Sequence, residues 1–188
     1  MNSKQLLLGF LAEKGSGKDT AGDYLVKNYG FKKDSFARPL KDACKILFRL
    51  TDNQVDGTIK EKETLDKRWD KTPRQILQFV GTELFRDQVR EDFWIYNFNL
   101  RYDYKESFAV TDVRFQNEVD CIKKLGGYVV KISRPTQNEN KDVHSSELEM
   151  NNIKNYDFLI VNDGTLDDFY KKIDDVYVNI LADKMSHL

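Results

Sequence analysis

The sequence predicts an α/β domain in which helices flank a parallel sheet. Three observations carry this. Four short apolar runs, LLLGFLA (6–12), FAVTDV (108–113), YVVKI (128–132) and DFLIVN (157–162), are strand-length and rich in β-branched or aromatic residues. Three of them are nearly continuous in apolarity, the pattern of strands covered on both faces. Segments of helical periodicity lie between them, and such alternation builds βαβ units.

Each element follows from local signals. After the first strand comes AEKGSGKDT (12–20), then a helix over 18–29 with Ala21, Tyr24, Leu25 and Asn28 at helical spacing. A weaker fifth strand is expected at KKDSFA (32–37). Residues 39–105 read as a mainly helical insertion with the turn-like TDNQVDGT inside it. A helix is expected over 73–90, with Pro73 tolerated at its start and Ile76, Leu77, Val80 and Leu84 turned to the core. FQNEVDCIKKLGG (115–127) puts Val119, Ile122 and Leu125 on one helical face and ends in glycines. The polar stretch RPTQNENKDVHSS (134–146) has the composition of a lid, which we place at 134–147. The last helix is expected over 166–182, with Thr165 as its N-cap.

Composition bounds the function. At 188 residues the chain is long enough for one substantial core, so a single domain spanning 1–188 is expected. A net charge of -1 argues against duplex binding, and no polymeric nucleic acid is expected as a partner. Cys44 and Cys121 lack C-x-x-C spacing and read as buried thiols in a reducing compartment. His144 and His187 are the only imidazoles, too few for a His/Cys metal cluster. The apolar run in MNSKQLLLGF is too short for a signal peptide or a membrane span, so a cytoplasmic protein without membrane partners is expected.

AEKGSGKDT carries the chemistry. A phosphate-binding loop needs glycines to aim successive N–H groups inward, a helix starting at its end, and a lysine to reach the outer phosphates. Gly15, Gly17 and Lys18 supply these, after a buried strand and before a helix. A glycine turn beside a solvated lysine would use the same residues, but the strand–loop–helix context favours a nucleotide site. The loop departs twice from G-x-x-x-x-G-K-[ST]: Ala12 replaces the first glycine and Asp19 the hydroxyl residue. Alanine is a mild change where φ is negative. A carboxylate beside a triphosphate is repulsive unless a cation lies between them, and Mg²⁺ suits that place. Asp19 is therefore expected to hold Mg²⁺ directly or through water, and Thr20 to bond an inner phosphate.

Further segments lie in order along the chain: FARPLK (36–41), PRQILQFVGTELFR (73–86), DFWI (92–95), TDVRFQNE (111–118) and HSSE (144–147). Together with GSGKDT they resemble the phage-type deoxynucleoside monophosphate kinases. The combination of Q-x-x-G-T-E with D-x-R-x-x-N-E is far more specific than the loop. The resemblance implies a P-loop NTPase fold like that of nucleoside monophosphate kinases, with a helical substrate-binding insertion and a short lid. It implies transfer of the γ-phosphate of ATP, with Mg²⁺, to a small-molecule deoxynucleoside monophosphate. A homodimer is left open, and a host cytoplasm follows if the chain is viral.

Phosphoryl transfer spreads negative charge over the moving group, which cations and alignment must meet. The donor set is assigned to Lys14, Gly15, Ser16, Gly17, Lys18, Asp19 and Thr20. Arg114 follows a strand end, the edge where ligands bind in parallel sheets, and is a candidate phosphate contact. Asp112, two residues earlier, points to the same side and is a candidate for metal or substrate. A strand-end salt bridge is the alternative for this pair, and helix-start polar groups are the alternative to ligands for Asn117 and Glu118. Arg74, Gln78, Gly81, Thr82 and Arg86 recur along one side of a helix. By resemblance Gln78 and Thr82 are candidates for bonding the base, Gly81 for letting substrate approach the backbone, and Arg74, ahead of Arg86, for phosphate. Arg38 is a further candidate for the acceptor phosphate, Trp94 for stacking on a base, and Arg134 for closing over the triphosphate. His144 is at most a minor site. The alternatives are another small P-loop kinase, such as a dephospho-coenzyme A or phosphomevalonate kinase, or a nucleotide-binding switch. A switch would carry N-K-x-D after the last strands, which the sequence lacks in the expected form.

Overall fold

The computed structural model describes residues 5–13, 15–135, 150 and 152–186. In chain order the elements are β1 (Leu7–Ala12), α1 (Lys18–Tyr29), β2 (Lys32–Asp34), α2 (Arg38–Leu47), α3 (Asp52–Asp56) and α4 (Ile59–Glu63). There follow α5 (Pro73–Gln78), a π-helical stretch (Phe79–Leu84), α6 (Phe93–Arg101), β3 (Phe108–Val113), α7 (Gln116–Lys124), β4 (Tyr128–Ser133), β5 (Phe158–Val161) and α8 (Leu166–Ser186). The chain forms two compact units, one of Met1–Ser35 with Asp103–Leu188 and one of Phe36–Tyr102.

The first unit holds a five-stranded sheet of order β2-β3-β1-β4-β5, parallel at every pairing. β1 lies at its centre, and all six of its residues are buried. Leu8, Phe10 and Ala12 join a cluster with Ala21 and Leu25 of α1 and Phe169, Ile173 and Ile180 of α8. On the other face α7 comes so close that a Cβ on Gly9 would stand 3.1 Å from Ile122 and from Val113. Burial on both sides is why the LLLGFLA run shows no polar alternation. The fifth strand is shorter than expected: it ends at Asp34, and Phe36 and Ala37 already belong to the second unit.

The α1–α8 contact is aromatic and carries a half-buried acid. Tyr24 stacks on Tyr170 at 4.3 Å, and Tyr29 lies 4.0 Å from Tyr177. The Tyr24 and Tyr29 hydroxyls donate to the two oxygens of Asp174 at 2.9 and 2.7 Å. Tyr128 likewise donates to Asp183 at 2.6 Å.

The second unit is helical around Cys44, Leu50, Val55, Ile76 and Val80. Two sequence expectations change here. TDNQVDGT is not a turn: Thr51 and Thr58 each accept from the N–H three residues on, and Gln54 and Glu61 return the bond. These reciprocal caps start α3 and α4. The helix expected over 73–90 is α5 for its first part only. Phe85 then donates to Val80 O and Asp87 to Thr82 O, bonds spanning five residues. Each such turn advances the helix phase by roughly one residue. Val80 keeps its place in the core at 1% exposure, but Leu84, expected inside, is rotated out to 43%.

The tyrosine network makes a pH prediction. The Asp174 carboxylate, with burial, raises the Tyr29 pKa, and burial followed by Asp174 raises that of Tyr24. Burial and Asp183 push Tyr128 up to about 12 from its ordinary 10.0. Unfolding therefore releases protons at alkaline pH, so this stability is whole below pH 10.0 and is lost as pH rises towards 12. The melting temperature should fall across that window, and Tyr29→Phe should make the fall shallower. An unchanged slope in that variant would contradict the assignment.

Candidate active site

After β1 the chain runs to one side of the sheet, and between β3 and β4 it crosses through α7 to the other side. The carboxyl end of β1 is therefore the point where strand order reverses, which in open parallel sheets opens a crevice for ligands. The glycine loop occupies it. Gly15 and Gly17 have φ of 81° and 107°, the left-handed region where a side chain is strained. Ala12 ends β1 and is not among the described residues of positive φ, so its methyl group is accommodated. The Ser16 hydroxyl is not offered to a ligand: it is buried and donates to Glu13 O at 2.7 Å, and the Ser16 N–H donates to the same oxygen at 3.3 Å.

Helix α1 starts at Lys18 with Gly17 as N-cap and no side-chain cap. Its first N–H groups and its positive dipole end therefore stay available to an anion. A cavity of about 300 Å³ lies there, lined by Gly15, Gly17, Lys18, Asp19, Thr20 and Arg134 and completed by Asn162, Gly164, Leu166 and Phe169. Of the expected donor residues, Gly15, Gly17, Lys18, Asp19 and Thr20 thus line one cavity with Arg134, while Ser16 does not line it. Lys18 Nζ stands 2.5 Å from Asp19 Oδ2, and Lys33 Nζ lies 3.6 Å from Asp19 Oδ1. Partial burial is the largest influence on the Asp19 carboxyl and raises its pKa. Lys18, Lys33 and the Thr111 hydroxyl together outweigh it and hold the group below its ordinary value. Asp19 is an anion at neutral pH, and its side chain is 57% exposed.

Asn162 and Phe169 were not singled out by the sequence. Asn162 Nδ2 donates to Ser16 O at 2.8 Å, a link between two ends of the chain that no local pattern encodes. A Cβ on Gly17 would come within 2.8 Å of that Nδ2 and 3.1 Å of the Phe169 ring. Thr165 caps α8 as expected, its hydroxyl accepting from Asp168 N while Asp168 Oδ2 accepts from Thr165 N.

Asp112 is half-buried on β3, and Arg114 is exposed just beyond it; neither lines the cavity around the loop. Glu118 fills the helix-start role anticipated for it, accepting from Arg114 N at 2.8 Å and Phe115 N at 3.2 Å while only 3% exposed. Among the described residues no group of three or more His, Cys, Asp or Glu is arranged to hold a metal ion. Lys14, His144 and the lid beyond Pro135 lie outside the described residues.

The remaining candidates belong to the second unit. Arg74 pairs with Glu63, and Arg38 lies 3.9 Å from Asp42 one helical turn on. Gln78 and Thr82 are exposed, on α5 and on the π-helical stretch. Two expectations are corrected. The open side of Gly81 is not left for a substrate, since a Cβ there would stand 2.8 Å from Leu40 Cδ2. Trp94 is not a stacking surface: it is 6% exposed, and its indole N–H donates to Gly81 O at 2.8 Å.

A family model described as deoxynucleotide monophosphate kinase matches residues 51–173. A protein of Acanthamoeba polyphaga mimivirus, provisionally named as a deoxynucleotide monophosphate kinase, is 45% identical over 89% of this chain and 94% of its own length. The deoxynucleotide monophosphate kinase of Enterobacteria phage T4 is 24% identical over 85% of this chain and 93% of its own. A dephospho-CoA kinase from Campylobacter jejuni gives a TM-score of 0.47 at 14% identity, covering 95% of this chain and 98% of that one.

The two glycines of the loop should respond differently to alanine. At Gly15 a Cβ meets nothing within 4 Å, so only backbone strain is added, about 1 kcal/mol. At Gly17 the same strain is joined by collision with Asn162 and Phe169, for a total of about 3 kcal/mol. Urea unfolding of the two variants measures the difference. Equal losses would mean that Asn162 and Phe169 give way without cost.

Proposed function

The chain belongs to the deoxynucleotide monophosphate kinase family, and on that premise we propose that the cavity at the end of β1 takes the triphosphate of ATP. The γ-phosphoryl group would pass to the 5′-phosphate of a deoxynucleoside monophosphate, giving the diphosphate and ADP. The observation that carries this reading is the uncapped start of α1, lying with Lys18 and Arg134 around one cavity. Backbone N–H groups, a helix dipole and two cationic side chains are the means by which an enzyme meets a polyphosphate.

Each residue then has a task. Lys18 exchanges the Asp19 carboxylate for phosphate oxygens when nucleotide enters, keeping its charge compensated throughout. Thr20, half-buried in the first turn of α1, offers a hydroxyl to an inner phosphate. Arg134 supplies positive charge from the end of β4 to the group being transferred. Asp19 fits a divalent cation: it is ionised, exposed at the cavity, and carries the charge that Mg²⁺ seeks alongside phosphate oxygens. Asp112 is the second candidate for holding that ion. Bound Mg²⁺ would neutralise charge on the phosphate chain and help align it. For the acceptor we assign, within the helical unit, a phosphate contact each to Arg38 and Arg74 and base contacts to Gln78 and Thr82; within the sheet-bearing unit Arg114 is kept as a candidate phosphate contact. No described helix is long and apolar enough to cross a membrane. With viral relatives, we place the reaction in a cytoplasm, that of the host if the chain is viral.

Turnover with ATP, Mg²⁺ and a panel of deoxy- and ribonucleoside monophosphates tests the reading directly. A deoxynucleoside diphosphate should form with at least one base, and chelation of Mg²⁺ should stop its formation. No diphosphate from any deoxynucleotide would refute the proposal. Lys18→Ala should lower turnover by about 10²–10³-fold with little change in melting temperature. Near-normal turnover in that variant would put the donor site elsewhere.

A further inference from the structure

We propose that Asn162 is a positioning residue for the phosphate loop, holding the Ser16–Gly17 peptide in the orientation that presents its N–H to the nucleotide. This role rests on the donor-site reading above.

The argument begins with peptide geometry. Among the described residues no peptide bond is cis, and in a trans peptide the C=O and N–H point in opposite directions. The Ser16 carbonyl is turned onto the Asn162 amide at 2.8 Å. The N–H of the same peptide, that of Gly17, is thereby directed the other way. Gly17 lines the cavity and has a φ of 107°, so nothing in its own conformational preferences opposes rotation of this peptide. A flipped peptide would aim a carbonyl oxygen at the phosphate chain and exchange an attraction for a repulsion. The bond from Asn162 is what resists the flip. The loop is also cleared for it, because any side chain on Gly17 would overlap Asn162 Nδ2.

Asn162 can serve as an anchor because it is itself fixed. Its backbone N–H donates to Ser133 O at 2.7 Å. Lys172 Nζ bridges Val161 O at 2.7 Å and Asp163 Oδ1 at 2.6 Å, on either side of it. The Thr165–Asp168 cap closes the turn beyond. Ser133 directly precedes Arg134, so one residue ties the phosphate loop to the strand end that carries the cavity's arginine.

Calorimetric titration of ATP with Mg²⁺ into wild type, Asn162→Ala and Asn162→Gln tests this, with steady-state kinetics on the same proteins. Asn162→Ala should weaken ATP binding and raise the KM for ATP by about tenfold, the effect of losing one well-placed hydrogen bond. The KM for the deoxynucleotide should stay unchanged, a split that general loosening of the fold would not give. Asn162→Gln keeps the amide donor and should recover part of the loss. If both variants bind ATP as wild type does, the role is overturned while the donor site stands. If wild type itself binds no ATP, both the role and the donor-site reading fall. Equal increases in both KM values would reduce Asn162 to a structural residue and likewise overturn the role.

Discussion

Helix α1 begins without a side-chain cap, and the N–H groups this leaves unbonded set the demand around which the sheet-bearing unit is arranged. A helix start buried with no acceptor would be a liability, and this one opens on the cavity at the end of β1. The central strand β1, packed on both faces, fixes where that helix can start. Gly15 and Gly17 supply the left-handed turns that join the two within five residues. Asn162 and Phe169 then close on the loop from the far end of the chain.

Charge balance at the loop follows from the same demand. Lys18 placed beside a helix's positive end would be repelled if it stood alone. Asp19 answers it at 2.5 Å, and Lys33, itself bonded to Asp23, stands on the other oxygen. The residue that departs from the common loop pattern is thus the one that compensates the Lys18 cation in this structure. In a kinase that must admit and release polyanions repeatedly, exchanging one partner for another costs less than desolvating a bare charge.

The fold was largely legible because its signals are local. Apolar runs covered on both faces and a glycine loop before a helix are written in consecutive residues, and β1, β3, β4, β5 and α1 fall within about two residues of expectation. What escaped the sequence is what depends on distant partners. Asn162 acts on Ser16 across most of the chain. The space beside Gly81 is filled by Leu40, from a helix whose packing no spacing rule reveals. The π-helical stretch was hidden because the heptad-like pattern of Ile76, Leu77, Val80 and Leu84 fits an ordinary helix, and it takes the bonds from Phe85 to Val80 and from Asp87 to Thr82 to show the added residue. The paired lysines and aspartates were visible as residue types, but not as a circuit.

That π-helical stretch leaves the Gly81 carbonyl to be satisfied from outside the helix, and the Trp94 indole does so. The chain has two tryptophans, Trp69 and Trp94, and both lie within Phe36–Tyr102. Tryptophan-selective fluorescence is consequently a native optical probe of the helical unit alone, and the sheet-bearing unit is dark at those wavelengths. Trp94, buried and hydrogen-bonded, and Trp69, 40% exposed, should differ in emission maximum and in access to a soluble quencher. The protein carries its own two-colour label on one of its two units, with no dye attached.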